Sequence, residues 1–171
     1  RCGTRNFRTR LNQLHSDHRA VKITIYAIGK IKPGPEHELL RRYQRRIYWP
    51  LKILELEEHR KSSARELKRR EADLIRKAVP QGSLRIAMDE RGKSLSSRAF
   101  AAKLDCWQKQ NTEITFMIGG AGGLEKELKD EANTVLALGA ATWPHQLTRV
   151  LLVEQIYRAQ AILAGHPYHR D

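Results

Sequence analysis

The sequence predicts an α/β fold, a mostly parallel sheet with helices on both faces. Three observations carry that expectation. Five short apolar or alternating runs recur, separated by longer stretches with a 3.6-residue apolar period. Gly and Pro punctuate several of the changeovers. Strand and helix patterns alternate along the chain instead of segregating, as parallel crossover units require. With 171 residues, 40% hydrophobic and 30% charged, the chain has the size of one domain and can bury one moderate core.

Val21, Ile23, Ile25 and Ala27 alternate with Lys22, Thr24, Tyr26 and Ile28, which predicts a strand over 21–28 ending at Gly29. Pro33, Gly34 and Pro35 then stiffen the connection to a helix over 36–48. Its apolar face carries Leu39, Leu40, Tyr43 and Ile47, and its other face Arg41, Arg42, Arg45 and Arg46. A second strand is expected over 51–56. Ser63 and Glu66 have capping-box spacing and open a long helix with Leu67, Leu74, Ile75 and Ala78 buried, stopped at Pro80 and Gly82. Residues 84–88 read as strand and 89–93 as a polar turn. The next helix starts near Ser96 and Ser97 and buries Phe100, Leu104 and Trp107. A strand over 113–118 runs into Gly119, Gly120, Ala121, Gly122 and Gly123, followed by a short charged helix over 124–133. Residues 135–138 form the fifth strand. The last helix, 146–163, turns Leu147, Val150, Leu151, Tyr157, Ala161 and Ile162 inward.

Residues 1–20 show neither period and carry five Arg against one acid, Asp17. They lack the apolar stretch of roughly 7–15 residues that a secretory signal needs. They read as an extension outside the domain, which spans 21–171, with Val21 as the natural start. The two cysteines, Cys2 and Cys106, have no CxxC or CxxH neighbour. A disulfide scaffold and a zinc module are therefore disfavoured, and a reducing, cytoplasmic setting is expected. No run reaches the ~18 consecutive apolar residues of a membrane helix. The net charge of +13 is unevenly spread: residues 1–98 hold 25 basic and 11 acidic groups, residues 99–171 hold 7 and 8. Such an excess favours a polyanionic partner, nucleic acid ahead of a membrane surface.

In open α/β sheets, ligands sit outside the carboxyl ends of strands. Met88 and Asp89, the glycine cluster at 119–123, and the segment from Leu138 to Trp143 occupy such ends. The cluster matches neither GxGxxG nor GxxxxGK[ST], so dinucleotide-binding and P-loop fingerprints are missing. Glu125 and Glu127 follow at once, where carboxylates would repel a polyphosphate at a helix start. A ligand without phosphates, especially a cationic one, fits better. His166-x-x-His169 has no third spaced ligand, and His145 is 21 residues away, so metal is not expected. Glu154 and Arg158 are spaced to pair on one helix face, either as an interface pair or, with Arg149, as the mouth of a pocket.

The series Ile118-Gly119-Gly120-x-Gly122-Gly123-Leu124, Thr142-Trp143-Pro144-His145-Gln146, Arg149-Val150, Glu154-Gln155-x-Tyr157-Arg158-Ala159 and His166-Pro167-Tyr168-His169-Arg170 closely resembles the bacterial large-subunit ribosomal RNA methyltransferase H family, of the SPOUT class. Residues 22–30 also look like its first strand. The resemblance implies an S-adenosylmethionine-dependent enzyme that methylates N3 of a pseudouridine in 23S rRNA, with a SPOUT-type α/β knot, a C-terminal trefoil, in a homodimer. It implies cofactor contacts from Met88, Gly119, Leu138, Gly139, Ala140, Ala141, Thr142 and Trp143. Met88 stands where the family often has leucine, a near volume-conserving change.

The proton on the target nitrogen must leave, which calls for a hydrogen-bonding group nearby. His169 and Tyr168 are the candidates, with Arg149, Arg158 or Arg170 holding phosphate or an anionic ring. The basic first half, notably Arg41, Arg42, Arg45 and Arg46, together with Arg65, Lys68, Arg69 and Arg70, is the expected RNA-facing surface. The alternatives are a SPOUT enzyme acting on tRNA and a non-catalytic ribosome-binding or assembly factor.

Overall fold

Five strands make up the sheet: β1 (Lys22–Ile28), β2 (Leu51–Leu56), β3 (Leu84–Ser94), β4 (Glu113–Ile118) and β5 (Thr134–Ala137). They pair in the order β2-β1-β4-β3-β5, every neighbour parallel. The helices are α1 (Pro35–Gln44), α2 (Ala64–Ala78), α3 (Ser97–Gln110), α4 (Lys126–Asp130) and α5 (His145–Leu163). This computed structural model describes residues 21–60, 62–111 and 113–170, so the expectation for residues 1–20 lies outside the described residues. Among the described residues no helix is long and apolar enough to cross a membrane.

Strand alternation divides the interior into two cores. Ile23, Ile25, Ile86, Met88, Ile114, Phe116 and Ile118 point to one side, where α1, α3 and α5 cover them through Leu40, Phe100, Leu104, Trp107, Val150, Leu152 and Ile156. Tyr26, Ile28, Ala87 and Met117 point to the other, under Ala72 and Ile75 of α2 and Leu128 of α4. In the central strands β1 and β4 both faces are buried, which is why residues 23–28 and 114–118 are almost wholly apolar.

Four expectations are corrected. Helix α1 ends at Gln44, not 48. Its last turn tightens, with Arg46 N–H on the Tyr43 carbonyl at 2.9 Å. The Tyr48 and Trp49 N–H groups instead find the Gln160 amide oxygen at 2.8 and 3.4 Å. The polar segment 89–93 is part of β3, not a free turn. Met88 and Lys93 both pair with Leu136, so residues between them bulge from the ladder. A Cβ on Gly92 would come within 2.6 Å of the Leu136 backbone, so only glycine lets the chain return there.

The charged helix α4 opens at Lys126, not 124, because Leu124 is pulled into the second core. Helix α5 is buried around most of its circumference, wedged between α1 and α3. Val150, Tyr157 and Ala161 are buried as expected, Leu147, Leu151 and Ile162 only partly, and Arg149, Glu154 and Gln160 are buried as well. Gly165, in the left-handed region at φ 65°, ends α5. The Gly165 and His166 N–H groups bond the Ile162 and Ala161 carbonyls at 3.0 and 2.8 Å, a Schellman closure that turns the tail back along the helix.

Candidate active site

Three chain segments leave the carboxyl edge of the sheet side by side: the β3 bulge, the glycine loop after β4 and the loop after β5. Between them lies a cleft of about 710 Å³. Its walls include Met88, Asp89, Glu90, Gly119, Leu138, Thr142, Trp143 and His145. A second, more apolar recess of about 340 Å³ opens on the helix side, against Leu95, Phe100, Leu151 and Gln155. Met88, Leu136, Leu138 and Trp143 are common to both. Gly139 lines the recess, while Ala140 and Ala141 sit at the exposed tip of the loop and line neither.

The walls fit tightly. A Cβ on Gly119 would stand 2.5 Å from the Gly123 carbonyl carbon and 2.6 Å from the Leu124 nitrogen. The Trp143 indole N–H donates to the Leu138 carbonyl at 3.0 Å and curls the β5 loop over the opening. The Thr142 hydroxyl donates to the Glu90 carboxylate, tying that loop to the β3 bulge. Gly139, at φ 100°, supplies the turn that makes this possible.

Charge in the cleft is mixed. Burial pushes the Asp89 carboxyl up, but the Lys129 ammonium at 2.8 Å and the Arg91 N–H at 3.0 Å outweigh it and hold the group below the usual range. The Glu71 carboxylate leans over the glycine loop, where a Cβ on Gly120 would meet it at 2.9 Å. Burial pushes that carboxyl up despite Lys68 nearby. Burial and the Arg149 cation push His145 down, favouring the neutral ring. No group of His, Cys, Asp or Glu among the described residues could hold a metal ion.

Arg149 is apart from any surface. It is 0% exposed. It donates to Glu55 at 3.0 Å and to the Ile28 carbonyl, and Glu55 also accepts from the Ile31 N–H at 2.8 Å. It therefore ties β1, β2 and α5 together behind the cleft, and within the protomer it touches neither a phosphate path nor the tail. Sequence reasoning does not single out Glu55, although a lone acid inside the apolar strand 51–56 is the available signal.

The other expected catalytic residues do come together, around the C-terminal half of α5. Glu154 Oε1 accepts from Arg158 Nε at 3.0 Å and from the Tyr168 hydroxyl at 3.0 Å. Arg158 Nη1 lies 3.3 Å from His169 Nδ1. Burial, then hydrogen bonds with Tyr43 and Glu154, raise the Tyr168 phenol well above its ordinary value, so it remains a neutral donor. Arg158 and His145 are thirteen residues apart on α5, about 20 Å along its axis.

The expected single basic surface is two. Arg41, Arg42 and Arg45 are exposed at α1, on the α5 side of the sheet, whereas Arg65 and Arg69 are exposed on α2, on the opposite side. Lys68 of α2 reaches the cleft. Arg46 is half-buried, and Arg170 is exposed at the end of the tail.

A parallel α/β sheet whose carboxyl edge forms a glycine-walled cleft has its open site where doubly wound folds take small ligands. The family described as predicted SPOUT methyltransferase matches residues 21–169, and the chain belongs to that family. The ribosomal RNA large subunit methyltransferase H of Rhodospirillum centenum is 49% identical over 151 residues, spanning 88% of this chain and 99% of that protein. The protein of the same name from Rhodopseudomonas palustris strain HaA2 is 48% identical over 159 residues, with the same coverage. A probable methylase family protein from Haemophilus influenzae has the same fold, with a TM-score of 0.56 at 14% identity over 90% of this chain and 72% of that one.

Proposed function

We propose that this protein is an S-adenosylmethionine-dependent methyltransferase acting on N3 of a pseudouridine in 23S rRNA, working as a homodimer in the cytoplasm. The observation that carries the proposal is the convergence of three strand ends on one cleft in a SPOUT chain. The residues suit this cofactor. Gly119 allows backbone to close around a ligand, Met88, Leu136 and Leu138 offer an apolar wall for an adenine, and the Glu90 carboxylate suits a sulfonium, Asp89 being paired with Lys129. Glu71 over the glycine loop would oppose a phosphate. When bound, S-adenosylmethionine supplies an electrophilic methyl group.

The chain's own contribution is orientation and proton handling. Loop 138–144, pinned by Trp143 and Thr142, holds the ligand and excludes water. Arg158 has only donors, so the Nδ1 atom of His169 accepts and Nε2 carries the ring hydrogen. That Nε2–H suits a uracil carbonyl oxygen, which gains charge as the adjacent N3 proton passes to solvent water. Tyr168, its proton held by Glu154, orients this group and does not act as a base. Because the tail stands some 20 Å along α5 from His145, the tail of one protomer serves the cleft of its partner. The trefoil thread of the SPOUT class belongs to the same proposal.

Calorimetric titration with S-adenosylmethionine, followed by mass mapping of 23S rRNA treated with protein and cofactor, tests it. Saturable binding and one added methyl on a pseudouridine are expected. Methylation of tRNA alone, or RNA binding with no cofactor binding, would overturn it in favour of another target or an assembly factor.

A further inference from the structure

We propose that Arg46 is a positioning residue for the C-terminal tail and not a phosphate anchor: its guanidinium is held over the rings of Tyr157 and Tyr168, and this clamp fixes the tail where it acts. The proposal rests on the methyltransferase function proposed above, for the role it gives the tail.

The guanidinium carbon lies 4.2 Å from the Tyr157 ring centroid and 5.2 Å from that of Tyr168. The two rings meet edge to face at 4.7 Å. Arg158 approaches Tyr168 as well, at 4.8 Å, so the tail ring contacts two cations. Tyr43, one turn before Arg46, brings its hydroxyl to 3.5 Å from that of Tyr168.

The main chain at Arg46 is fixed too. Gln160, 2% exposed on α5, donates to the Arg46 carbonyl at 3.3 Å and accepts from the next turn's N–H groups. Residues 164–170 form no regular element, so side-chain contacts such as these must order the tail after the Schellman turn. A planar guanidinium stacks on aromatic faces as an ammonium does not, which accounts for arginine here. With its planar group on the rings, Arg46 differs from its exposed neighbours Arg41, Arg42 and Arg45.

The test compares Arg46→Ala, Arg46→Lys and Arg41→Ala in two measurements. The first is steady-state methylation of rRNA across a range of salt. The second is release of tail residues by carboxypeptidase without RNA, with the far-ultraviolet circular dichroism spectrum as the check on folding. Arg46→Ala is expected to lower kcat by about ten- to a hundred-fold, to leave the KM for rRNA and its salt slope unchanged, and to speed tail digestion. Arg46→Lys recovers part of each. Arg41→Ala is expected to raise KM and reduce the salt slope by about one.

A raised KM and a salt slope reduced by about one for Arg46→Ala, with kcat and tail protection intact, would make Arg46 a phosphate anchor and overturn the clamp. If the wild-type protein fails to methylate rRNA, the proposed function fails, yet digestion still decides the clamp. Faster release in Arg46→Ala supports it, and equal protection overturns it.

Discussion

Gly119 and Gly120 adjoin in sequence but exclude a side chain for different reasons. A Cβ at Gly119 would strike the backbone of residues 123 and 124, which cannot yield, whereas one at Gly120 would strike the Glu71 carboxylate and an Ile28 methyl, which can. Gly119→Ala is expected to cost about 1–3 kcal/mol in thermal unfolding and to abolish saturable cofactor binding in titration. Gly120→Ala should do less of both. Glu71 itself offers a pH test. Its carboxyl is raised by burial from an ordinary 4.5, so the folded state holds its proton more tightly than the unfolded one. Stability from this group therefore falls as pH rises from about that ordinary value through the raised one. Glu71→Gln is expected to stabilise the protein at neutral pH and to make no difference well below pH 4.5, read as the unfolding midpoint against pH.

Helix α5 is where local pattern and tertiary setting part. A 3.6-residue stripe assumes one buried face, and it finds Val150, Tyr157 and Ala161. It misses Gln160 and misjudges Arg149, because a helix between two others and a sheet buries polar positions too. Those positions carry the connections: Arg149 to Glu55, Gln160 to the turn after α1, Ser97 to Gln155 at 2.9 Å. Gln160→Ala would remove the amide that joins the Arg46 carbonyl and the Tyr48 and Trp49 N–H groups to α5, at a cost of about 0.5–1.5 kcal/mol for each hydrogen bond, measurable by denaturant unfolding. Elsewhere local chemistry was enough. Ser63 caps α2 as its spacing to Glu66 suggests, Ser96 caps α3 at the expected start, and β2 and β4 lie on their apolar runs. The bulge in β3 was illegible because its polar residues look like a turn, and only pairing with β5 reveals the return at Lys93. Most of the expected ligand wall, Met88, Gly119, Leu138, Gly139, Thr142 and Trp143, surrounds the two cavities. The tail's dependence on Tyr43 and Arg46 was hidden, since nothing in sequence separates a stacked arginine from three exposed ones.

At the scale of the whole molecule, the sheet separates the basic surfaces. Arginines of α1 and of α2 lie on opposite sides of it, so one protomer presents two basic surfaces and not a continuous one. A dimer that brings the tail of one subunit to the cleft of the other would join the α1 surface of the first to the α2 surface of the second. Mixing two defective variants tests this arrangement. Gly119→Ala disables the cleft and Tyr168→Phe weakens the tail, so co-refolded mixtures are expected to recover up to about a quarter of wild-type activity, one intact site in each mixed dimer, half of all dimers, two sites in each wild-type one. No recovery in mixtures shown to exchange subunits would mean that each protomer works alone.

Trp143 has an optical consequence. Of the three tryptophans, Trp107 is buried and Trp49 partly so, while Trp143, 43% exposed, stands at the cleft mouth. Its indole meets water on one side and the ligand's place on the other. Filling the cleft should shift the protein's ultraviolet emission to shorter wavelength, and Trp143→Phe should erase the shift, giving a label-free reporter of occupancy.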